Sequence, residues 1–388
     1  VTAQGGRGGK KPTFIMSNPI NQYIQAKLQQ RRDENNYRTL KLSSGLVDFY
    51  SNDYMGFARD EKLQENIELE IKKHVRPMLG STGSRLLSGN NVYAEDLEKY
   101  LAGFHNSEAA LIFNSGFDAN YGLLSTLPYH GDTIIYDELV HASYHDGMRN
   151  SKATSVAFKH NDVASLEEKL KAATGLKYVV VESVYSMDGD SAPLEEISKL
   201  CTAYQAGLII DEAHAVGVQG SKGEGLAGSE LNALARVYTY GKAMGAHGAT
   251  VVCSNELKQF LINYCRPFIY STALPLHSLA AIKCSYEYLQ QTGERREHLF
   301  ALISLFREHL NLPDGFTYTG GNSPIQSVIA PGNALVKELA AKVQQAGFDV
   351  RPILIPTVPK GKERIRICLH SFNTATEVTK LAQTLNAL

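Results

Sequence analysis

The sequence predicts an α/β protein, with a large domain built on a mostly parallel seven-stranded sheet and a smaller C-terminal α+β domain. Three observations lead to that expectation. Short apolar, β-branched runs recur between residues 109 and 254: "AALIF", "DTIIYD", "TSVAFKH", "KYVVVES", "GLIIDE", "RVYTY" and "ATVVCS". Helical segments such as "DVASLEEKLKAAT" (162–174) and "PLEEISKLCTAYQ" (193–205) separate them, the pattern of parallel strands buried under helices on both faces. Polar residues also follow the runs directly: His141 after "DTIIYDELV", Ser186 after "KYVVVES", Asp211 and His214 after "GLII", and Lys242 after "RVYTY". Ligands of open parallel sheets bind beyond the carboxyl ends of the strands, so these residues are expected in one pocket.

Taken in order, the glycine-rich basic start "VTAQGGRGGKK" has no periodicity and reads as a flexible tail. With an N-terminal helix and arm it fills residues 1–55. The large domain is expected over 56–285. A long helical stretch, "SLAAIKCSYEYLQQTGERREHLFALISLFREHL" (278–310), leads out of it. The small domain, 286–388, then reads β-α-β-β-α through "IQSVIAP", "LVKELAAKVQQAG", "FDVRPIL", "RIRICLH" and "EVTKLAQTLNAL". At 388 residues the chain exceeds the size at which one core stops growing, about 250–300 residues, so two domains are reasonable.

Composition narrows the function. Lys and Arg number 39 against 40 Asp and Glu, a net charge of −1 that offers no track for a nucleic-acid backbone. This matters because Asp211-Glu212-Ala213-His214 is a helicase tetrapeptide. A helicase also needs a G-x-x-x-x-G-K-[ST] loop. The nearest lookalike, "GGRGGKK", has Lys11 in place of the hydroxyl and runs into "PTF", so that reading fails. No apolar run reaches the ~20 residues of a membrane span, and a cytoplasmic location is expected. The 5 cysteines are scattered without a C-x-x-C pair, which suggests small core residues in a reducing compartment.

The chemistry starts at Lys242, in "TYGKAMGAHGA". Shielded at a strand end, its amine would have the lowered pKa that Schiff-base chemistry with a carbonyl cofactor requires. The fragment alone fits a surface lysine in a glycine-rich turn equally well. Asp211 favours the first reading, since lysine on an aldehyde carbon and a buried acid on the pyridinium nitrogen are the requirements of pyridoxal phosphate. Asp211 could instead cap a helix. His214 could reach the cofactor's phenolic oxygen and His141 could stack on its ring, although a lone histidine is more often a satisfied loop or core residue. His141 and His145 have the i, i+4 spacing of metal ligands, but no Glu follows His141 and no third ligand is evident, so no metal is expected. In "FNSGFDANYG" a strand end turns into a helix start, where the cofactor phosphate would rest near Gly116 with help from the Thr239 hydroxyl.

Together "FNSGFDAN", "DELVHAS", "VYSMDGDSAPL", "IIDEAHAVGVQG", "TYGKAMGAHGA", "IYSTALP" and "PTVPKGKERIRICL" resemble the α-oxoamine synthase family of fold-type I pyridoxal 5′-phosphate enzymes, in the same order from Phe49 to the C-terminus. The resemblance implies Lys242 as the Schiff-base lysine, Asp211 as the pyridinium partner, His214 as the phenolic-oxygen partner and His141 as the stacking ring. It implies Ser186 and Thr239 as cofactor-contacting hydroxyls, Gly116 with Phe117 as the phosphate loop, and Thr272 as a residue reaching the phosphate of a neighbouring subunit in a homodimer with shared active sites. Asn52 and Arg366 would grip the amino-acid carboxylate, for which a planar guanidinium is suited. Thr357 and Arg38 would face the substrate. Ala94, Glu212 and Ala215 depart from residues often found in the family at those positions.

The resemblance implies a decarboxylating condensation of an amino acid with an acyl thioester. L-Alanine and a pimeloyl thioester, on coenzyme A or an acyl carrier protein, are the expected pair, which places the reaction in biotin synthesis. The alternatives are glycine with an acetyl thioester and serine with a long acyl chain. Neither a nucleic acid nor a membrane is expected as a partner.

Overall fold

The computed structural model describes residues 18–40, 42, 45–74 and 78–388. The tail expected over the first eleven residues lies outside them. Helix α1 (Pro19–Asp33) has no buried residue, and its Asn18 cap accepts from the Ile20 N–H. Strand β1 (Val47–Asp48), α2 (Glu61–Lys72) and α3 (Val92–Phe104) lead to β2 (Ala109–Phe113). Then follow α4 (Gly116–Thr126), β3 (Thr133–Asp137), α5 (Ala142–Asn150), β4 (Thr154–Phe158), α6 (Val163–Ala172), β5 (Lys177–Glu182), α7 (Leu194–Ala203), β6 (Ala206–Asp211), β7 (Ala233–Thr239) and β8 (Ala249–Cys253).

These seven strands, β2 to β8, form one sheet in the order β2-β8-β7-β6-β5-β3-β4, so every apolar run expected to be a strand is one. The strands β7, β6, β5, β3 and β4 pair in parallel, while β8 runs antiparallel to both β7 and β2. That reversal follows from the short "YGKAMGAHG" connection, which turns β7 back into β8 and leaves no room for the crossover helix a parallel pair requires. Val179, Val181, Leu208 and Ile210 pack under α6 and α7 on one face, and Leu111, Ile134, Val180 and Ile209 pack under α4 and α5 on the other. Both faces being covered explains why the strands read as unbroken apolar runs rather than alternating ones.

Helices α8 (Asn255–Tyr264), α9 (Arg266–Tyr270), α10 (Leu276–Leu289) and α11 (Gly293–His309) follow. The single stretch expected over 278–310 is two helices, broken over residues 290–292, where the Thr292 hydroxyl bonds back to the Tyr288 carbonyl. Beyond them lie β9 (Thr317–Gly320), β10 (Ile325–Ile329), α12 (Asn333–Gln345), β11 (Phe348–Asp349), β12 (Arg351–Ile353), β13 (Arg364–Cys368) and α13 (Ala375–Asn386). A four-stranded antiparallel sheet has the order β12-β13-β10-β9. The segment "FDVRPIL", expected to be one strand, is split: Phe348–Asp349 pairs in parallel with β1, and Arg351–Ile353 pairs with β13. Strand β9, polar and half-exposed, carries too little apolar signal to be seen in the sequence. The capping box expected of a well-specified helix start is present at Thr374 and Glu377 of α13.

One core runs from Tyr54, Met55 and Tyr240 through Tyr286 and Phe306 to Val328, Ile365 and Leu381, so the two larger sheets share buried apolar contacts. Residues 49–55 lie along that junction, with the Phe49 carbonyl accepting from the Cys368 N–H and the Tyr54 carbonyl from the Ser371 N–H. This brings the strand ends of the large sheet against β13.

Candidate active site

A cavity of about 250 Å³ opens at the carboxyl ends of β5, β6 and β7, with Asn120, His141, Glu182, Asp211, His214 and Lys242 in its wall. Asn52, Gly116, Phe117 and Thr239 also line it, so most of the residues singled out in the sequence do converge. All five cysteines are buried and free, and none lines this wall, although Cys368 lies behind it against Arg366. Among the described residues no group of three His, Cys, Asp or Glu could hold a metal ion, and no helix is long and apolar enough to cross a membrane.

Asp211 ends β6 and is buried. Its carboxylate accepts from Asn120 Nδ2 at 2.8 Å and from the Ala213 N–H at 2.9 Å. Asn120 also donates to Ser143 Oγ at 3.2 Å, and Ser143 Oγ lies 2.8 Å from His141 Nδ1. His141 caps α5, its Nδ1 accepting from the Ser143 N–H at 3.3 Å. Nδ1 is therefore an acceptor and the ring proton sits on Nε2. Burial lowers the His141 pKa, Asp211 opposing and Lys242 adding to the effect, which agrees with a neutral ring.

Lys242 follows β7, and its Nζ lies 2.9 Å from His214 Nε2. Burial lowers the amine to about 8, with Asp211 and Glu182 opposing that shift and Arg366 adding to it. His214 is pushed well below its usual range, first by burial and then by the Lys242 and Arg366 charges. A lysine poised near neutrality beside a neutral imidazole is the arrangement a nucleophile and proton acceptor needs.

The N-terminus of α4 forms a cradle. Ser115 caps it, accepting from the Asp118 N–H at 3.1 Å. A Cβ at Gly116 would stand 2.3 Å from Thr239 Cγ2, so only glycine lets the helix start approach β7 so closely. Thr239 Oγ1 is buried and without a partner, as is Glu182 Oε1. An unpartnered hydroxyl beside free helix N–H groups suits an anion such as a phosphate. With a lysine for an aldehyde, a buried carboxylate for a ring nitrogen and an imidazole for the ring face, the residues fit pyridoxal 5′-phosphate.

Arg366, on β13, is buried and gives Nε to the Ser186 carbonyl at 2.7 Å, Nη1 to Asn52 Oδ1 at 3.0 Å and Nη2 to Tyr54 Oη at 3.2 Å. Asn52 and Arg366 thus form a pair at the edge of the cavity. A second cavity, of about 720 Å³, adjoins the first across His141 and is lined by Ser186, Thr357 and Arg38, whose Nη2 donates to Thr357 Oγ1 at 3.3 Å. Ser186 thus faces this neighbouring space, and its carbonyl is what positions Arg366. Thr272 lies outside both linings, its side chain exposed and its carbonyl accepting from Asn114 Nδ2 at 2.7 Å.

Sequence reasoning missed Glu182, Asn120 and Tyr54. Glu182 ends "KYVVVE" as Asp211 ends "GLIID", so the strand-end rule that singled out Asp211 could have found it. Asn120 lies one turn into α4, which the helix-start signal at Gly116 could have suggested. Tyr54 carries no local signal, because only the docking of residues 49–55 on β13 brings it to His214. Glu212, noted as a departure, takes a structural part: it accepts from Ser183 Oγ and from the Leu226 and Ala227 N–H groups, pinning the loop after β6.

The profile of the "Aminotransferase class I and II" family matches residues 44–385. The 8-amino-7-oxononanoate synthase of Emericella nidulans is 40% identical over 93% of this chain and 94% of its own length. The crystal structure of 8-amino-7-oxononanoate synthase from Francisella tularensis superposes with a TM-score of 0.75 at 28% identity, covering 89% of this chain and 98% of that one. Serine palmitoyltransferase from S. paucimobilis, solved with a bound PLP–myriocin aldimine, superposes with a TM-score of 0.82 at 25% identity over 95% of this chain and 98% of that one. On profile, sequence and fold alike, this chain belongs to the aminotransferase class I and II family, among its α-oxoamine synthases.

Proposed function

We propose that this chain condenses L-alanine with a pimeloyl thioester, carried on coenzyme A or an acyl carrier protein, to give 8-amino-7-oxononanoate, CO2 and free thiol, the condensation of biotin synthesis. The observation that supports it most is the meeting of two cavities at His141. One holds the lysine, carboxylate and imidazole set together with Asn52, at whose edge Arg366 lies. The other, of about 720 Å³, has many apolar residues in its wall and carries Arg38, with Glu138 and the paired Arg364 and Asp188 also lining it. The first suits a cofactor and a small amino acid. The second suits a medium acyl chain that ends in a carboxylate, which Arg38 would meet.

Bound pyridoxal phosphate supplies a ring that takes up the electron pair left when the amino acid loses its α-proton, and again when CO2 leaves. The phosphate would lie at the α4 N-terminus with Thr239. Asp211, fixed by Asn120 and the Ala213 N–H, would hold the proton of the ring nitrogen. His141 would cover one face of the ring. Lys242 would hold the aldehyde carbon and, as a free amine, takes the α-proton at Nζ. Arg366 and Asn52 bind the carboxylate and so orient the α-carbon toward Lys242. His214, beside the half-buried Lys242, is itself buried.

We read the assembly as a cytoplasmic homodimer with shared active sites. The exposed Ile20, Tyr23 and Ile24 of α1, together with exposed Leu79, Leu87 and Tyr270 on the Thr272 side, support a covered face there. The exposed Thr272 side chain would then be free to reach the partner's phosphate site.

The test is thiol release by the cofactor-loaded protein offered pimeloyl-CoA with L-alanine, glycine or L-serine in parallel. Release with alanine alone is expected. Release only with glycine or serine would move the chain to another α-oxoamine synthase activity.

A further inference from the structure

One buried atom touches both the amino-acid clamp and the histidine that contacts Lys242. Tyr54 Oη lies 2.8 Å from His214 Nδ1, 3.1 Å from Asn52 Oδ1 and 3.2 Å from Arg366 Nη2, and the residue has no exposed surface. Burial raises the phenol pKa, with Arg366 opposing, so the hydroxyl keeps its single proton.

Donor arithmetic then limits the arrangements. Arg366 only donates, and its Nη1 bond to Asn52 fixes Oδ1 as the amide atom on that side, which only accepts. His214, held neutral, can do either at Nδ1. The one hydroxyl proton therefore goes to Asn52 or to His214. If it goes to Asn52, His214 carries its proton on Nδ1, and the Nε2 lone pair accepts from Lys242 Nζ, leaving the amine lone pair free. If it goes to His214, Nε2–H points at Lys242 and occupies that lone pair. Below about pH 8 the Lys242 ammonium has no lone pair, which selects the first arrangement.

We propose that Tyr54 is a positioning residue through which occupancy of the Arg366–Asn52 clamp sets the tautomer of His214 and the availability of Lys242 as a base. The proposal rests on the reading that this clamp holds the amino-acid carboxylate. A carboxylate that takes the guanidinium fork withdraws Arg366 donors from Asn52 Oδ1 and Tyr54 Oη. Asn52 then becomes the better acceptor for the hydroxyl proton, and the lone pair of the free Lys242 amine is left unoccupied. The charged and titratable groups facing the pair are Asp211, Glu182 and Arg366 around Lys242, His141 and Arg366 around His214, and Cys368 beside Arg366 and Tyr54.

Propionate, a carboxylate without an amine, serves as the probe in the cofactor-free full chain. His214 is followed by its 15N ring shifts and Lys242 by the pH dependence of its amine reactivity. At pH 9 saturating propionate is expected to move His214 toward the Nδ1–H form and to shift the Lys242 titration. In Tyr54→Phe, still binding propionate, the tautomer change is expected to vanish and the Lys242 shift to fall by at least half, the remainder being direct charge. Propionate that binds wild type while leaving the His214 tautomer unchanged overturns the coupling alone, and this arm needs no variant. Propionate that fails to bind, or binds Arg366→Ala equally well, overturns the clamp reading and the coupling with it.

Discussion

Glu182 and Asp211 face each other as register partners on the parallel strands β5 and β6, so two carboxyl groups enter the same cavity wall side by side. Their surroundings differ. Asp211 accepts from Asn120 and the Ala213 N–H, Glu182 Oε1 is without a partner, and burial followed by the Asp211 charge raises Glu182 well above the usual carboxylate range, with the Lys242 charge and the His141 and Ser186 backbone N–H groups opposing. Glu182 is thereby held toward its neutral form beside Asp211.

That pairing predicts a pH-dependent stability difference. An acid whose folded pKa lies above its unfolded value costs stability as pH rises past the unfolded value of 4.5, because the unfolded chain then releases a proton that the folded one keeps. Glu182→Gln removes the cost. Its melting temperature in the cofactor-free protein should exceed that of wild type at pH 8 by more than at pH 6. An equal difference at both pH values would mean that Glu182 is ionised in the folded chain.

Arg366→Lys keeps the charge but loses the planar fork. We expect KM for the amino acid to rise about 100-fold, the equivalent of losing about 2–3 kcal/mol of paired hydrogen bonding, with a smaller fall in kcat. Steady-state kinetics with varied amino acid check this, and an unchanged KM would remove Arg366 from the clamp.

At the helix cradle, Gly116→Ala places a methyl group against Thr239. The helix start must back away from β7, and we expect pyridoxal phosphate to bind about 10–100-fold more weakly. Titration of the cofactor-free protein by absorbance measures it, and wild-type affinity would place the phosphate elsewhere.

His160 anchors the loop that carries Ser186. Its Nδ1 lies 3.0 Å from Asp137 Oδ1 and its Nε2 2.7 Å from Asp190 Oδ2. Burial disfavours the imidazolium, but the hydrogen bonds and charges of both aspartates outweigh it and hold the pKa at about 10. A raised pKa contributes stability that is complete below the unfolded value of 6.5 and is lost as pH rises toward 10. His160→Asn should destabilise by about 2–3 kcal/mol at pH 7 and by much less at pH 10, read from denaturant unfolding.

The particular residues show why the sequence was readable where it was. Lys242, Asp211, His214 and His141 sit at the ends of apolar strands, and the sheet itself brings strand ends together. Gly116 was readable because a strand running into a helix start leaves a local signature. The split of "FDVRPIL" between two sheets was not readable, since which partner each half pairs with depends on β1, some three hundred residues upstream. Tyr54 was invisible for the same reason: its partners Asn52, His214 and Arg366 meet only when both sheets pack. Arg38 meets Thr357 across the whole chain, and only the family resemblance placed the two together on the substrate side.

The central claim is that Lys242 Nζ both holds the cofactor and takes the substrate proton, and Lys242→Ala tests it most directly. Mass spectrometry after borohydride reduction of the cofactor-loaded wild type should find pyridoxyl phosphate on Lys242. The variant should carry no such adduct, lose the visible absorbance of the bound lysine–aldehyde linkage, and release thiol from pimeloyl-CoA and L-alanine at least about 1,000-fold more slowly. An adduct on another lysine, or a variant turning over near the wild-type rate, would contradict the account.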